Sequence, residues 1–519
     1  MKRRVLVLAW AAITVALCLR ADLWSRPLAA DNRLYFYMAE RAAAGVVPHV
    51  SAPDVKNQLG TLVSAASIVV GRGVGLDDVR AGRIVSVAAL VAGVCAVGLV
   101  IPELGGSAAA AGVAAVATLA FGALIDHTAI GFNPKIPMFA LIAWTHLLIA
   151  RGRFGFAGVA AAGALLCWQP AVAVCFSAIA AALVQAPRRR RILHLALGGI
   201  GAVTLYEAYF AWHGALLPQL FQAYLLPLGS VHDVVDLGEG LSFIAYCEER
   251  GLDRFGIPAA AFALFVVERC WWLCRRSTVG AGSETIVAPG AVPAVVALLV
   301  GGLLCVAFTV YDHQGEPDRF LLSVYFAIAL GMLAERTLRW IETLGGWPQA
   351  RRIEGALAVL LLIFATRTAR PGEQGEGGLE RQFERARIIR LYGEAYGSVW
   401  AFGCSHLLGL AHMTNYHPLG YIWDDLEVYL DADRFTPEVG GRLPDVILAG
   451  RRVPGRGFLQ SEYSVVPVPA LAEEHVRLYV RKDARVEAPG AKDDEGEIWR
   501  EQARQPVVKR TGRGGRRRR

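Results

Sequence analysis

The chain has 519 residues, of which 55% are hydrophobic and 19% charged, and its mean hydropathy is +0.40. A soluble protein of this length has too little polar surface to cover so much apolar side chain, so composition selects a polytopic α-helical membrane protein. The formal charge of +8 is no nucleic-acid signature, because the basic residues form short clusters between apolar blocks, where such clusters fix orientation in a bilayer. The nine cysteines include no CxxC pair, and most sit in or beside apolar blocks as packed thiols.

About twenty helical residues cross the ~30 Å hydrocarbon layer. Apolar blocks at 5–22, 84–101, 107–125, 136–150, 155–168, 170–186, 192–212, 255–274, 289–311, 320–336 and 353–367 predict about eleven spans. The shortest rely on flanking Arg and Trp to reach the interface. Leu59–Val70 is short and predicts an interfacial helix. Met1–Ala30 also has the basic start and apolar centre of a signal peptide, but Leu28 stands where a cleavage site needs a small residue.

Arginine counts set the predicted topology. Lys2-Arg3-Arg4, Arg151 and Arg153, Arg188–Arg191, Arg275-Arg276 and the cluster from Arg336 to Arg352 recur at alternate ends of the spans. Those ends are expected in the cytoplasm. Loops 23–83, 126–135, 213–254 and 312–319 then face outward, as does everything after about residue 368. The expected location is the plasma (inner) membrane, with a cytoplasmic N-terminus. Residues 1–368 form the multi-span part. A small extracytoplasmic α/β domain is expected over 369–483, with strands near Ser398–Gly403, Asp445–Gly450, Tyr463–Val468 and His475–Arg481. Residues 484–519, rich in Gly, Arg and charge, read as a disordered basic tail.

The polar residues with chemical potential concentrate in the first outer loop, which reads Asp31-Asn32-Arg33-Leu34-Tyr35, then Gly45-Val46-Val47-Pro48, then Asp54-Val55-Lys56. An acid stands just outside the first span, followed by an amphipathic helix with aromatics suited to the headgroup layer. A turn then leads to a second acid and a lysine. A carboxylate there can take a proton from an attacking hydroxyl, and an ammonium can offset charge on a departing phosphate. Only six lysines stand against 47 arginines, so a lysine here suggests that a compact point charge is wanted. The alternative is structural: Asp31 as a helix N-cap and Lys56 as a snorkelling side chain.

The pattern D-x3-Y, G-x2-P, D-x-K directly after the first span resembles the GT-C class of membrane glycosyltransferases. That class includes protein O-mannosyltransferases, lipid A aminoarabinose transferases and bacterial lipopolysaccharide-core enzymes. The resemblance covers roughly residues 1–340. It implies an inverting hexosyl- or pentosyltransferase that takes a sugar from a polyprenyl-phosphate donor to an extracytoplasmic hydroxyl acceptor. By the same resemblance Asp31 is the base or acceptor-orienting acid, Lys56 contacts the donor phosphate, and Asp54 matches an acidic position before that lysine. The chain lacks the prolines that relatives carry after the lysine, having Asn57-Gln58-Leu59 instead.

Other cavity candidates are Arg33 and Tyr35 beside Asp31, and Asp126 and His127 of the second outer loop, which equally suit a loop cap. Gln314, Asp318 and Arg319 belong to the polar loop before the 320–336 span; Arg319 is a second phosphate ligand or a snorkelling helix end. Trp168-Gln169-Pro170 reads as a kink, where relatives commonly carry a lysine. Asp31, His127, Asp312 and His313 are a conceivable divalent-cation set. The rival functions are a transporter or flippase for a lipid-linked solute and a polysaccharide polymerase or ligase. Absence of internal repeats argues against the transporter.

Overall fold

A computed structural model of the chain describes residues 2–29, 31–184, 187–227, 252–278, 291–311, 316–345, 350–369, 378–419, 435–450, 456–472 and 475–484. Asp312, His313, Gln314 and most of the basic tail lie outside the described residues. The chain divides into two units, Met1–Glu380 and Arg381–Arg519.

The first unit is helical. Its elements in order are α1 (Lys2–Arg20), α2 (Asn32–Ala43), α3 (Leu59–Gly73), α4 (Asp78–Glu103), α5 (Ala108–Ala120), α6 (Gly122–Ile130), α7 (Lys135–Ala150) and α8 (Phe154–Cys167). After a 3-10 turn at Gln169–Ala171 come α9 (Val172–Leu183), α10 (Arg188–Trp212) and α11 (Leu216–Leu220), the last running into a π-helical turn at Phe221–Leu225. Beyond these lie α12 (Leu252–Thr278), α13 (Ala291–Tyr311), a 3-10 turn at Glu316–Arg319, α14 (Phe320–Gly345) and α15 (Ala350–Thr368).

Among the described residues, five helices are long and apolar enough to cross a membrane: Asp78–Glu103, Arg188–Trp212, Ile257–Arg275, Ala291–Val310 and Pro317–Thr343. A sixth is the pair α5 and α6, bent by 61°. Of the remaining apolar blocks, 5–22 is the 19-residue α1 with a basic start, and the others are helical but shorter. The bend changes one expectation: Asp126 and His127 sit within α6 rather than in a loop. Leu124, Ile125 and Ala129 are buried at helical spacing, so the helix resumes after Phe121, and the true connection shrinks to residues 131–134.

Small residues let these helices approach closely. A Cβ on Gly158 of α8 would stand 2.1 Å from the Leu195 carbonyl oxygen of α10, and one on Gly198 would stand 2.0 Å from that of Gly155. This is backbone-to-backbone packing of the kind that holds helices together where lipid gives no hydrophobic drive. Leu59, Phe139, Tyr325 and Phe326 belong to the large core around α4, α7 and α14, or pack against it.

The second unit carries most of α16 (Gly378–Tyr396), then β1 (Val399–Phe402), α17 (Ser405–Leu410), β2 (Val446–Ala449), α18 (Arg456–Glu462), β3 (Tyr463–Val466), α19 (Pro469–Ala472) and β4 (Arg477–Arg481). The sheet order is β1-β2-β4-β3. β1 and β2 are parallel, with Val399 opposite Val446, and β4 runs antiparallel to both β2 and β3. Val-Trp-Ala-Phe and Val-Ile-Leu-Ala are buried along their whole length, as expected of strands covered on both faces.

Candidate active site

The site is built around the segment Asp54-Val55-Lys56. Asp31 occupies the position before α2, yet its carboxylate makes no capping hydrogen bond. It lies instead 3.8 Å from Lys56 Nζ, and its side chain is 52% exposed against 12% for Lys56. The same ammonium donates to the Tyr35 hydroxyl at 2.9 Å. Asp31 and Tyr35 are four residues apart on one helical face, so α2 presents both to Lys56. Burial disfavours the Lys56 ammonium, but Tyr35, Asp54 and Asp31 outweigh that loss and hold it above the usual lysine range. Burial pushes the Tyr35 phenol upward, so Tyr35 stays neutral and acts as an acceptor.

Asp54 is tied into the loop. It is buried, and its two oxygens accept from the Lys56 backbone N–H at 3.3 Å and from Gln58 Nε2 at 2.6 Å. Both are spent on folding the loop. Burial raises its pKa to about 6, against the lowering influence of Lys56 and Gln58.

Three amides outside the candidate site residues hold this segment in place. Gln222, on the π-helical turn, accepts from the Asp54 N–H at 3.1 Å and donates to the His49 carbonyl at 3.0 Å. Gln169 Nε2 donates to the carbonyls of Val55 and Ala223, each at 2.8 Å. Asn57 Nδ2 donates to the Leu165 carbonyl at 3.0 Å. His49, bound to Gln222 through Nδ1 at 3.0 Å, is neutral, because burial takes its pKa down to about 4. Next to Asp31, the Asn32 amide is buried, and neither of its polar atoms has a partner among the described residues. An unmet buried amide is costly unless a ligand or water completes it.

The connection at 131–134 lies against the segment that follows α1. Phe36 of α2 meets Phe132 edge-on at 5.1 Å between ring centres. A Cβ on Gly60 would stand 2.6 Å from Pro134 Cβ, so only glycine lets α3 start here. Phe132 adopts a left-handed φ of 65°, a conformation that costs on the order of 1 kcal/mol or more for a bulky residue. Asn133 accepts from the Lys135 N–H at 3.0 Å and is hydrogen-bonded to His127 Nδ1 at 3.1 Å.

Lys135, absent from the sequence candidates, is the second ammonium of the region. It is paired with the carboxylate of Asp318 and lies 3.8 Å from the centre of the Trp168 ring. The scarcity of lysine that drew attention to Lys56 applied equally to it. Trp168 ends α8 in an extended conformation before the 3-10 turn; it is the expected kink and also the floor under Lys135.

The remaining candidates scatter. Arg33 Nε donates to the Leu28 carbonyl at 3.0 Å, a tie to the incoming chain. Asp126 pairs with Arg26 at 2.9 Å. Arg319 follows Asp318 on the turn that leads into α14. Of the four residues weighed for a divalent ion, Asp31 and His127 are described: Asp31 faces an ammonium, and His127 is engaged by Asn133. These two donors beside Lys56 and Lys135 do not fit a cation, since like charge opposes it.

An apolar groove of about 570 Å³ opens beside this loop, lined by Leu59, Leu62 and Ala65 of α3, Leu166 of α8, and Leu205 and Tyr206 of α10, among others. The Tyr206 hydroxyl accepts from the Gln58 N–H at 2.8 Å. One wall of the groove is thereby fastened to the loop that carries Lys56.

No family model matches the chain, and no curated protein sequence does either. Among solved structures it is similar to ArnT from Cupriavidus metallidurans bound to undecaprenyl phosphate, at 13% identity and a TM-score of 0.48, over 93% of this chain and 99% of that one. It is similar to the Archaeoglobus fulgidus oligosaccharyltransferase in complex with Zn and sulfate, at 12% identity and a TM-score of 0.48, over 74% of this chain and 55% of that one. A third likeness is to the S. cerevisiae protein O-mannosyltransferase Pmt1-Pmt2 complex bound to the sugar donor, at 13% identity and a TM-score of 0.34, over 42% and 34%. These are proteins of the group that the first-loop motif resembles.

Proposed function

We propose that the chain is an integral-membrane glycosyltransferase that moves a sugar from a polyprenyl-phosphate donor to a hydroxyl of an extracytoplasmic acceptor. The observation that carries this reading is the half-exposed Asp31 carboxylate 3.8 Å from the largely buried Lys56 ammonium, on a loop that runs into Leu59 of an apolar groove. The groove suits an isoprenoid chain, the ammonium suits the phosphate at its head, and the carboxylate is left accessible to a polar acceptor. A site at the membrane surface lets a long lipid stay in lipid while the acceptor stays in water.

In the proposed reaction the acceptor oxygen attacks the anomeric carbon from the face opposite the phosphate. Its proton passes to Asp31, the bond from anomeric carbon to phosphate oxygen breaks, and polyprenyl phosphate leaves with the electron pair. The donor is a phosphodiester with one negative charge, and the product monoester carries nearly two. Lys56 therefore binds the transition state more strongly than the ground state, which is what accelerates a reaction. Asp54, Gln58, Gln169 and Gln222 position Lys56 without touching substrate.

This reading takes the apolar blocks as about eleven spans of a plasma-membrane protein, with the loop 23–83 and the residues after about 368 outside the cytoplasm. The test is turnover. The full chain in nanodiscs, given polyprenyl-phosphate hexoses and pentoses, releases polyprenyl phosphate in the presence of envelope glycan or lipid acceptors. A folded protein that binds these donors and releases none, with any acceptor, would overturn it in favour of a carrier.

A further inference from the structure

The proposed reaction leaves the buried Lys135 ammonium unused. Lys135 retains 9% of its side-chain exposure and its partner Asp318 3%. A buried ion pair is a poor way to stabilise a fold, because desolvation offsets most of the attraction and apolar residues of similar volume do as well or better. A pair kept at such cost invites a second purpose, and its location supplies one.

Lys135 is drawn to the Lys56 site by three separate contacts. Phe132 packs on Phe36, the neighbour of the Lys56 partner Tyr35. Pro134 abuts Gly60, four residues beyond Lys56. Trp168 lies under the ammonium, while the next residue, Gln169, holds the carbonyl of Val55. Both Lys56 and Asp31 act on Lys135 electrostatically. The strained Phe132 and the Asn133 hydrogen bond to the Lys135 N–H fix the connection that delivers it. The flat Trp168 face attracts the ammonium without accepting a hydrogen bond, so donor capacity remains beyond the bond to Asp318.

We infer that Lys135 is a second phosphate-binding cation of the donor site, held by Asp318 until the donor phosphate takes that carboxylate's place. The inference rests on the reading of this site as one for a lipid-linked phosphate. Two ammonium groups, one on the loop before α3 and one at the start of α7, would grip different oxygens of one phosphate. Asp318 would then compete with the ligand rather than assist it, which gives opposite signs to two variants that a purely structural pair would affect alike.

The experiment measures equilibrium binding of radiolabelled undecaprenyl phosphate to the full chain in phosphatidylcholine nanodiscs, with thermal unfolding recorded for each variant. Lys135→Gln is expected to weaken binding about tenfold or more, the loss of one charge-assisted contact. Asp318→Asn, which leaves the ammonium without its competitor, is expected to tighten binding about threefold or more. Equal affinity in folded Lys135→Gln overturns the inference, as does weakening in Asp318→Asn; if Lys135→Gln does not fold, the sign of the Asp318→Asn effect decides alone. Restored binding in the double variant Lys135→Met, Asp318→Leu also overturns it, since only a structural pair can be replaced by apolar packing. Should the wild-type chain itself fail to bind the lipid, the underlying donor-site reading falls, and this inference with it.

Discussion

Replacement of Asp31 by Asn separates chemistry from stability. The substitution keeps the side chain's shape and removes its charge. Two unit charges at the observed 3.8 Å interact by about 1 kcal/mol in water and about 4 kcal/mol at an effective dielectric of about 20. Asp31 is 52% exposed, so solvent screening brings the true value toward the lower figure, and exposed pairs typically contribute about 0–1 kcal/mol. Because the carboxylate caps no helix, no further loss is expected, and the thermal midpoint should hardly move. Activity is another matter. Loss of a general base costs roughly 10²- to 10⁴-fold in rate, or about 3–5 kcal/mol of transition-state stabilisation. Affinity for polyprenyl phosphate should hold or rise, since Lys56 loses a competing anion. The assay pairs turnover of the lipid-linked sugar with lipid binding and thermal unfolding on one nanodisc preparation. A folded Asp31→Asn protein within about threefold of wild-type turnover would refute the assignment, and so would a large loss of stability.

Lys56→Gln should raise the donor KM at least tenfold, and Lys56→Arg should recover little, because the branched guanidinium does not fit between Tyr35 and Asp31 as a point charge does; steady-state kinetics in donor decide both. Asp54 should reveal itself in the pH dependence of folding. Its folded pKa of about 6 lies above the ordinary 3.8, so the native state holds the proton more tightly than the unfolded chain. This contribution is full below about pH 4 and lost as pH rises through 6, amounting to roughly 3 kcal/mol in order of magnitude. Asp54→Asn should lack that slope, and denaturation from pH 4 to 8 on both proteins compares them. Gly60→Ala forces a methyl group against the Pro134 backbone and should destabilise by about 1–3 kcal/mol, with activity reduced in step; a neutral Gly60→Ala would show that α3 and the 131–134 connection are not tightly packed. Gln169→Leu removes the donor to two carbonyls, and a loss of about 1–3 kcal/mol is expected, read as a lower unfolding midpoint.

What the sequence disclosed follows from how local each signal is. The apolar blocks and the four strands are short-range patterns, and each of them carries a described helix or strand. Asp31, Tyr35 and Lys56 were legible because helical spacing and one turn bring them together within 26 residues. Lys135 was not legible. In sequence it merely begins an apolar block, and its meaning comes from Asp318, 183 residues away, and from a tryptophan that looked like a kink. Gln222 is hidden for the same reason: it sits 168 residues from the Asp54 N–H that it holds, and a lone glutamine near a helix end carries no pattern. Asp54 is the converse case. Its spacing from Lys56 suggests a second functional acid, whereas only the hydrogen bonds reveal both oxygens committed to the loop.

The charges also bear on why an acid stands beside the cation at all. Lys56 with Asp31, Lys135 with Asp318, and Arg26 with Asp126 are three cation–carboxylate pairs, so these six groups sum to neutrality before any ligand arrives. A bare cluster of ammonium groups in this low-dielectric setting would be expensive and would attract any anion. In the proposed reaction one proton passes to Asp31 while one negative charge passes to the departing phosphate. Asp31 thus ceases to be an anion as negative charge grows on the phosphate, so the total charge of the site is unchanged while Lys56 shifts its attraction to the leaving group. The arrangement needs no solvent to rearrange during the step, which is where a preorganised site gains most over water. It also predicts the order of the losses above: the base variant keeps the lipid and loses the rate, whereas the lysine variant loses both.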